Sequence, residues 1–305
     1  MQSSLDDLRL NFNQDSLWVL NLCLALIMFG VALDLKVSDF KRLLETPKAS
    51  IVGLASQFIL LPFITFLLVW IIEPQPSIAL GMMLVAACPG GNISNFLTHL
   101  SKGNTALSVS LTAIGTVLAI VMTPFNLELW AGLYPPTAKL LKEVQLDALD
   151  IFKTILLLAG LPLTIGMIFA HYFPDVAAKV SKAVKPISIL IFVAFVIIAF
   201  ANNLDHFLNY IHLVLIIVFI HNATALLTGF WAARLSGLSL ENQKTIAIET
   251  GIQNSGLGLL LIFSFFNGLG GMAIVAAWWG IWHIISGLVI ATYWSRKAAT
   301  TTQTA

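Results

Sequence analysis

Charge is scarce in this chain. Of 305 residues, 16 are Lys or Arg and 15 are Asp or Glu, 10% together, where a soluble domain carries about 25%. That scarcity excludes an ordinary soluble domain and leaves no basic surface to hold a nucleic acid. Cysteine is nearly absent too. Cys23 and Cys88 both lie in apolar runs, so neither a disulfide framework nor a four-ligand zinc site is available. The polar stretch Met1–Asp15, with Asp6, Asp7 and Asp15, lacks the basic start and small-residue cleavage site of a signal peptide and is expected not to be one.

What fills the chain is apolar: 58% of residues are hydrophobic and the mean hydropathy is +0.90. This composition is that of an all-α polytopic membrane protein. Stretches of about 20 mostly apolar residues, the length that crosses a bilayer, fall at Leu17–Leu35, Ala49–Ile72, Ser77–Leu100, Thr105–Leu127, Thr154–Phe173, Ile187–Leu204, Ile211–Ala233, Thr245–Phe266 and Met272–Trp294. Nine transmembrane helices are therefore expected. The polar segment Leu133–Asp150 reads as a short surface helix or loop.

Basic residues concentrate on cytoplasmic loops, which gives these runs a direction. One set of connections holds Lys36, Lys41, Arg42, Lys48, Lys102, Lys179, Lys182, Lys185, Arg234, Lys244, Arg296 and Lys297. The other set, with the N-terminus, holds Arg9, Lys139, Lys142 and Lys153, so the tally is 12 against 4 and accounts for all 16. The N-terminus is expected outside and the C-terminus in the cytoplasm, as an odd number of spans requires. The expected location is a cell membrane, in a bacterium the inner one.

Two of the runs are interrupted. The third contains Cys88-Pro-Gly-Gly-Asn-Ile-Ser-Asn95, and the eighth contains Glu249-Thr-Gly-Ile-Gln-Asn-Ser-Gly256. Each follows a run with one polar feature, Gln57 in the second and the pair His221-Asn222 in the seventh. The interrupted runs would cross in opposite directions, the pattern of an inverted-repeat secondary transporter with its site near the midplane. On this reading 1–305 is a single transporter unit. Its core domain covers about 49–127 and 211–294, and a panel domain covers about 17–35 and 154–204.

Glu249 anchors the chemistry. A carboxylate at a helix centre costs roughly 2.5–3.5 kcal/mol on insertion scales, so it is retained for function. Carbonyls freed by broken backbone can ligate a hard cation such as sodium. Carboxamides of Gln57, Asn95 and Gln253 and hydroxyls of Ser94, Ser108 and Thr112 add neutral oxygens. Half-helix N-termini after Gly91 and around Asn254–Ser255 present positive dipole ends that suit the carboxylate of an organic anion. Gln57, Ser108 and Thr112 could instead only join helices, and His221 and His283 read as packing or gating residues. Pro62, Pro124 and Pro162 are expected to kink their helices. Trp278, Trp279 and Trp294 are expected at lipid or the interface.

At these residues the chain resembles the bile acid:sodium symporter family. The match lies in the two interrupted segments, in Lys102-Gly-Asn-Thr-Ala-Leu-Ser108 with Thr112, in Gln57-Phe-Ile-Leu-Leu-Pro62, in Lys36-Val-Ser-Asp-Phe40 and in Trp282-His283 with Ser286-Gly287. It extends over nearly the whole chain from about Leu17. The resemblance implies panel and core domains, two crossing discontinuous helices, and two Na+ ions moved with a small organic anion by alternating access. One sodium site would use Ser94, Asn95, Ser108, Thr112 and Glu249. The other would use Gln57, Glu249, Gln253 and the backbone carbonyls of Thr250 and Ile252. Substrate would meet Asn92, Asn254 and His283. Ile284 stands where bacterial relatives often carry Asn.

Two rival classes differ in what they need. A sodium/proton antiporter or channel would cycle protons on Glu249 and need no organic substrate. A membrane enzyme would use Ser255 with His283 as base. Oxygen donors spread over four spans exceed what a dyad requires, so a carrier and not an enzyme is expected.

Overall fold

The structure is a computed structural model that describes residues 5–10, 14–35, 45–144, 148–201 and 203–303. The resemblance segment at 36–40 and the basic residues Lys36, Lys41 and Arg42 lie outside the described residues. Among the described residues the regular elements are all helical, with two isolated bridges, Arg9 with Leu269 and Gly90 with Gln253.

Helix α1 covers Gln14–Ala32. Helix α2 starts as Pro47–Ala55, widens into a π turn at Ser56–Leu60 and continues as Leu61–Ile72. Helices α3 (Pro76–Ala87) and α4 (Ile93–Leu100) share the third apolar run, separated by the interruption. Helix α5 spans Thr105–Leu133, past the apolar run into the polar segment, most of which forms α6 (Pro135–Val144). Helix α7 begins as Ala148–Ile155, takes a second π turn at Leu156–Gly160 and resumes as Leu161–Tyr172. Then follow α8 (Pro174–Ala201) and α9 (Leu204–Leu235). The eighth run is again two helices, α10 (Leu240–Gly251) and α11 (Ser255–Phe265), and α12 covers Gly270–Gln303.

Pro62 and Pro162 each follow a π turn directly. Proline lacks the N–H that an α-helix uses and crowds the preceding turn. Widening the backbone just before it accommodates the ring, so the irregularity is a local bulge.

Among the described residues five helices are long and apolar enough to cross a membrane: Pro47–Ile72, Thr105–Leu133, Leu149–Tyr172, Tyr210–Leu235 and Gly270–Lys297. Shorter apolar helices run over Asn21–Ala32, Pro76–Ala87 and Ser255–Phe265. Helix α3 is buried at every position from Ser77 to Ala87. It packs between α2, α5 and α12, and so reads as uniformly apolar with no polar face. Helix α1 packs chiefly on α7 and α8, while α9 packs on α10 and α12. Trp279, expected at lipid or the interface, is fully buried and meets His221 edge-on with ring centroids 4.8 Å apart. A whole-residue hydropathy reading cannot separate a lipid-facing tryptophan from one facing another helix.

The N-terminal segment closes one end of this assembly. Leu5 and Leu8 insert into the main apolar core. The Leu10 N–H donates to the Gly268 carbonyl, and the Gly270 N–H to that of Leu8. Gln75, the residue preceding α3, makes no side-chain cap. Asp6 supplies one from a distance, its Oδ1 accepting from the Ser77 N–H at 2.7 Å. A carboxylate there satisfies an orphan amide and suits the positive end of the helix. Asp6→Ala is expected to lower stability by about 1 kcal/mol and Asp6→Asn by less, measured as thermal denaturation in detergent. An unchanged midpoint in Asp6→Ala would refute the cap.

Candidate functional site

The site is built where the two interrupted runs cross. An interrupted helix loses N–H partners for the carbonyls just before the break, and in an apolar setting each unmet group costs several kcal/mol. At the first break these carbonyls are Ala87, Cys88 and Pro89. Thr123 Oγ1 of α5 donates to Ala87 at 2.8 Å, Gln57 Nε2 of α2 to Cys88 at 2.9 Å, and the Asn254 N–H to Pro89 at 2.8 Å. At the second break they are Thr250, Gly251 and Ile252. Gln253 Nε2 donates to Thr250 at 2.6 Å, Asn222 Nδ2 of α9 to Gly251 at 2.8 Å, and the Gly91 N–H to Ile252 at 2.7 Å.

Each break thus takes one donor from the other break's backbone and one carboxamide from the helix that precedes it. The exchange requires close approach. A Cβ on Gly91 would sit 3.0 Å from the Gln253 carbonyl oxygen, and one on Gly90 would sit 3.1 Å from Glu249 Oε2. A larger residue at Gly91 would press on backbone of the second break, and one at Gly90 would press on the Glu249 carboxylate.

Glu249 lies at the end of α10, buried, with oxygen neighbours on α4 and α5. Its Oε1 accepts from Ser94 Oγ at 2.5 Å and from Ser108 Oγ, and its Oε2 accepts from Thr112 Oγ1 at 2.9 Å. These bonds use the single proton of each hydroxyl. Asn95 Oδ1 nevertheless lies 2.9 Å from Ser108 Oγ and 3.3 Å from Thr112 Oγ1. Neutral oxygens from three side chains thus crowd one carboxylate, which is a donor set suited to a hard cation.

The second expected set also comes together. Gln57 Nε2 donates to Gln253 Oε1 at 2.9 Å, and Gln253 Nε2 approaches Gln57 Oε1 at 3.3 Å. The Thr250 and Ile252 carbonyls each hold one hydrogen bond here and keep a second lone pair. Among the described residues no group of three or more His, Cys, Asp or Glu side chains could hold a metal ion. The cluster is neutral oxygens around one carboxylate.

Beside the crossing is a cavity of about 620 Å³. Asn92, Asn254 and His283 all line it, with Ser255 and Gln253, while Leu24, Ile27, Leu259, Ile281 and Ile284 form apolar wall. The Asn254 side chain caps α11 by accepting from the Leu257 N–H at 3.0 Å. His283 Nδ1 is buried with no hydrogen-bond partner. Ser255 and His283 share the wall but make no hydrogen bond to each other among the described residues, so the nucleophile–base pair of the enzyme reading is not assembled.

The family can now be read from comparison. The Sodium Bile acid symporter family matches residues 21–210. The chain belongs to this family. It is 38% identical over 274 residues to the "Uncharacterized sodium-dependent transporter YocS" of Bacillus subtilis (strain 168), covering 90% of this chain and 82% of that protein. It is 32% identical over 277 residues to the "Probable sodium/metabolite cotransporter BASS1, chloroplastic" of Arabidopsis thaliana, and 31% identical over 280 residues to the rice "Probable sodium/metabolite cotransporter BASS2, chloroplastic". The chain spans 66% and 63% of those two plant proteins, each match covering 90% of this chain. Family members and relatives are transporters, not enzymes, and the symporter family sets the Ser255–His283 reading aside.

Three residues at or near the crossing were not singled out from sequence. Thr98, with its hydroxyl 3.2 Å from Ser108 Oγ, stands four residues after Ser94, a spacing that put it on the same helix face. Thr123 carries no local signal because its partner, the Ala87 carbonyl, is far away in sequence, and the Phe58 carbonyl that Asn126 reaches is equally remote, although Met122 and Trp130 lie four residues from Asn126 on its own helix. Thr123→Val keeps the shape but leaves the Ala87 carbonyl without this donor. It is expected to destabilise the protein by about 1–3 kcal/mol, with Thr123→Ser recovering most of the loss. Thermal unfolding of the purified variants tests this, and equal stability of Thr123→Val and the parent would contradict it.

Proposed function

We propose that this protein is a sodium-coupled symporter of an organic anion, working by alternating access. The observation that carries the reading is the crossing itself. One buried carboxylate with an excess of neutral oxygens stands beside a cavity that Asn92 and Asn254 line from half-helix N-termini. One sodium ion is held by Ser94, Asn95, Ser108, Thr112 and Glu249, and the other by Gln57, Glu249, Gln253 and the carbonyls of Thr250 and Ile252. Asn92, Asn254 and His283 meet the anion. The names of the relatives support sodium coupling.

We count nine spans, two of them broken, with the N-terminus outside and the C-terminus in the cytoplasm of a cell membrane, in a bacterium the inner one. The panel comprises 17–35 and 154–204, and the core 49–127 and 211–294. The packing of α1 on α7 and α8, apart from α9, α10 and α12, supports that division. The matching exchange of donors at the two breaks supports the inverted repeat. A sodium/proton antiporter would need no cavity of about 620 Å³, so the organic cargo is the better reading.

Coupling follows from the shared parts. Sodium bound around Glu249 fixes α4 against α10, and that sets where the amides near Asn92 and Asn254 point. The anion then binds the sodium-filled form better, and by reciprocity saturating anion tightens sodium by the same factor. The largely apolar wall favours anions with an apolar body, since a short carboxylate would leave most of the cavity without contacts.

Thermal shift of the purified protein over a panel of organic anions, in sodium and in potassium, is the test. Stabilisation by anions is expected only in sodium, larger for amphipathic anions than for short carboxylates. Glu249→Ala is expected to fold and to lose both the sodium and the anion response. A sodium-stimulated anion response retained in Glu249→Ala would remove the central claim.

A further inference from the structure

We propose that Asn126 of α5 is a positioning residue for sodium binding, holding the π turn that aims Gln57 at the crossing. The inference rests on the sodium reading above. The π turn covers Ser56–Leu60 and so contains Gln57 itself. Such bulges are rare and short, and they recur at functional sites. One inserted residue turns the chain before it by roughly 100° relative to the chain after it, from 3.6 residues per turn. Without the bulge, a Gln57 in register with Leu61–Ile72 would point away from the Cys88 carbonyl and Gln253.

Two features of the sequence produce the bulge. Pro62 has no N–H to give the carbonyl four residues back, that of Phe58. Asn126 supplies a donor there, its Nδ2 reaching Phe58 O at 3.0 Å and the Met122 carbonyl of its own helix at 3.0 Å. The amide has a fixed orientation because Trp130 Nε1, which can only donate, bonds Asn126 Oδ1 at 3.0 Å. Asn126 is buried, so no water competes for the Phe58 carbonyl.

Thr123 stands three residues earlier, on the same face of α5, and holds the Ala87 carbonyl. One face of α5 therefore holds both the π turn and the end of α3. Gln57 must span the gap between those two points to reach Cys88 O and Gln253 Oε1, each at 2.9 Å. Asn126 touches neither cation nor anion in this arrangement and acts through Gln57.

The experiment measures sodium-dependent thermal stabilisation of purified protein, titrating sodium chloride against potassium chloride at constant ionic strength. Asn126→Ala is expected to raise the sodium concentration for half-maximal stabilisation by about three- to tenfold, the net worth of one buried hydrogen bond. The stabilisation at saturating sodium should stay near the parent value. In a Gln57→Ala background, Asn126→Ala should add no further shift, because the residue it positions is gone.

A purely structural role would lower stability in potassium, leave the half-maximal concentration unchanged and add to Gln57→Ala; that result overturns the proposal. Should Asn126→Ala not be recovered folded, Asn126→Leu, close in size and without a donor, carries the same comparison. If Gln57→Ala itself leaves the sodium response intact, the sodium reading fails and takes this proposal with it. An unchanged response in Asn126→Ala beside a lost one in Gln57→Ala defeats the role of Asn126 alone.

Discussion

The structure depends on an exchange of hydrogen bonds between two broken helices. The Gly91 N–H reaches the Ile252 carbonyl and the Asn254 N–H reaches that of Pro89, at 2.7 and 2.8 Å. Neither break is tenable alone among apolar neighbours, because freed main-chain groups there have no water to turn to. Together they meet each other's needs, and the side chains of Gln57, Thr123, Asn222 and Gln253 complete the set. Most of the remaining features serve this knot. Glycine at 90 and 91 lets the chains approach, α3 is buried on all sides, and Glu249 is delivered to a place where hydroxyls of α4 and α5 converge.

Electrostatics at the knot are lopsided. Glu249 faces hydroxyls, and among the described residues no cation pairs with it. Lys244 donates to the Ser101 carbonyl at 2.9 Å at the far end of α4, where a cation complements the helix dipole. Lys139 pairs with Glu143 and Lys153 with Asp150 at exposed positions, where such pairs contribute little. A carboxylate balanced by neutral dipoles is a place that a mobile cation can enter and leave, whereas a resident lysine or arginine would fill it permanently.

Much of this was legible in the sequence because it is written locally. Glycine and asparagine inside an apolar run announce the breaks, Glu249 announces the cost that only function offsets, and Ser108 and Thr112 fall on one helical face by their spacing of four. The structure brings all of them to one crossing. What was not legible depends on partners distant in the chain. Asn126 bonds the π turn around Gln57, Asp6 and Thr123 bond the two ends of α3, and α9 helps to bury Trp279. Hydropathy says that a run avoids water, not whether lipid or protein surrounds it. The polar segment was legible as a short surface helix or loop, and α6 is that helix, whereas the extension of α5 to Leu133 escaped a reading tuned to apolar length.

The reciprocal exchange at the breaks has a consequence for biogenesis. Gln57 and Gln253 stand 196 residues apart. At about 5–20 residues per second, a ribosome separates their synthesis by roughly 10 to 40 seconds. For most of that interval, once Pro89 and Gly91 have been made, the first break lacks the Asn254 amide and the Ile252 carbonyl that it will bond. The nascent first half therefore waits without these partners. The exchange at the crossing can close only once the second broken run has been made.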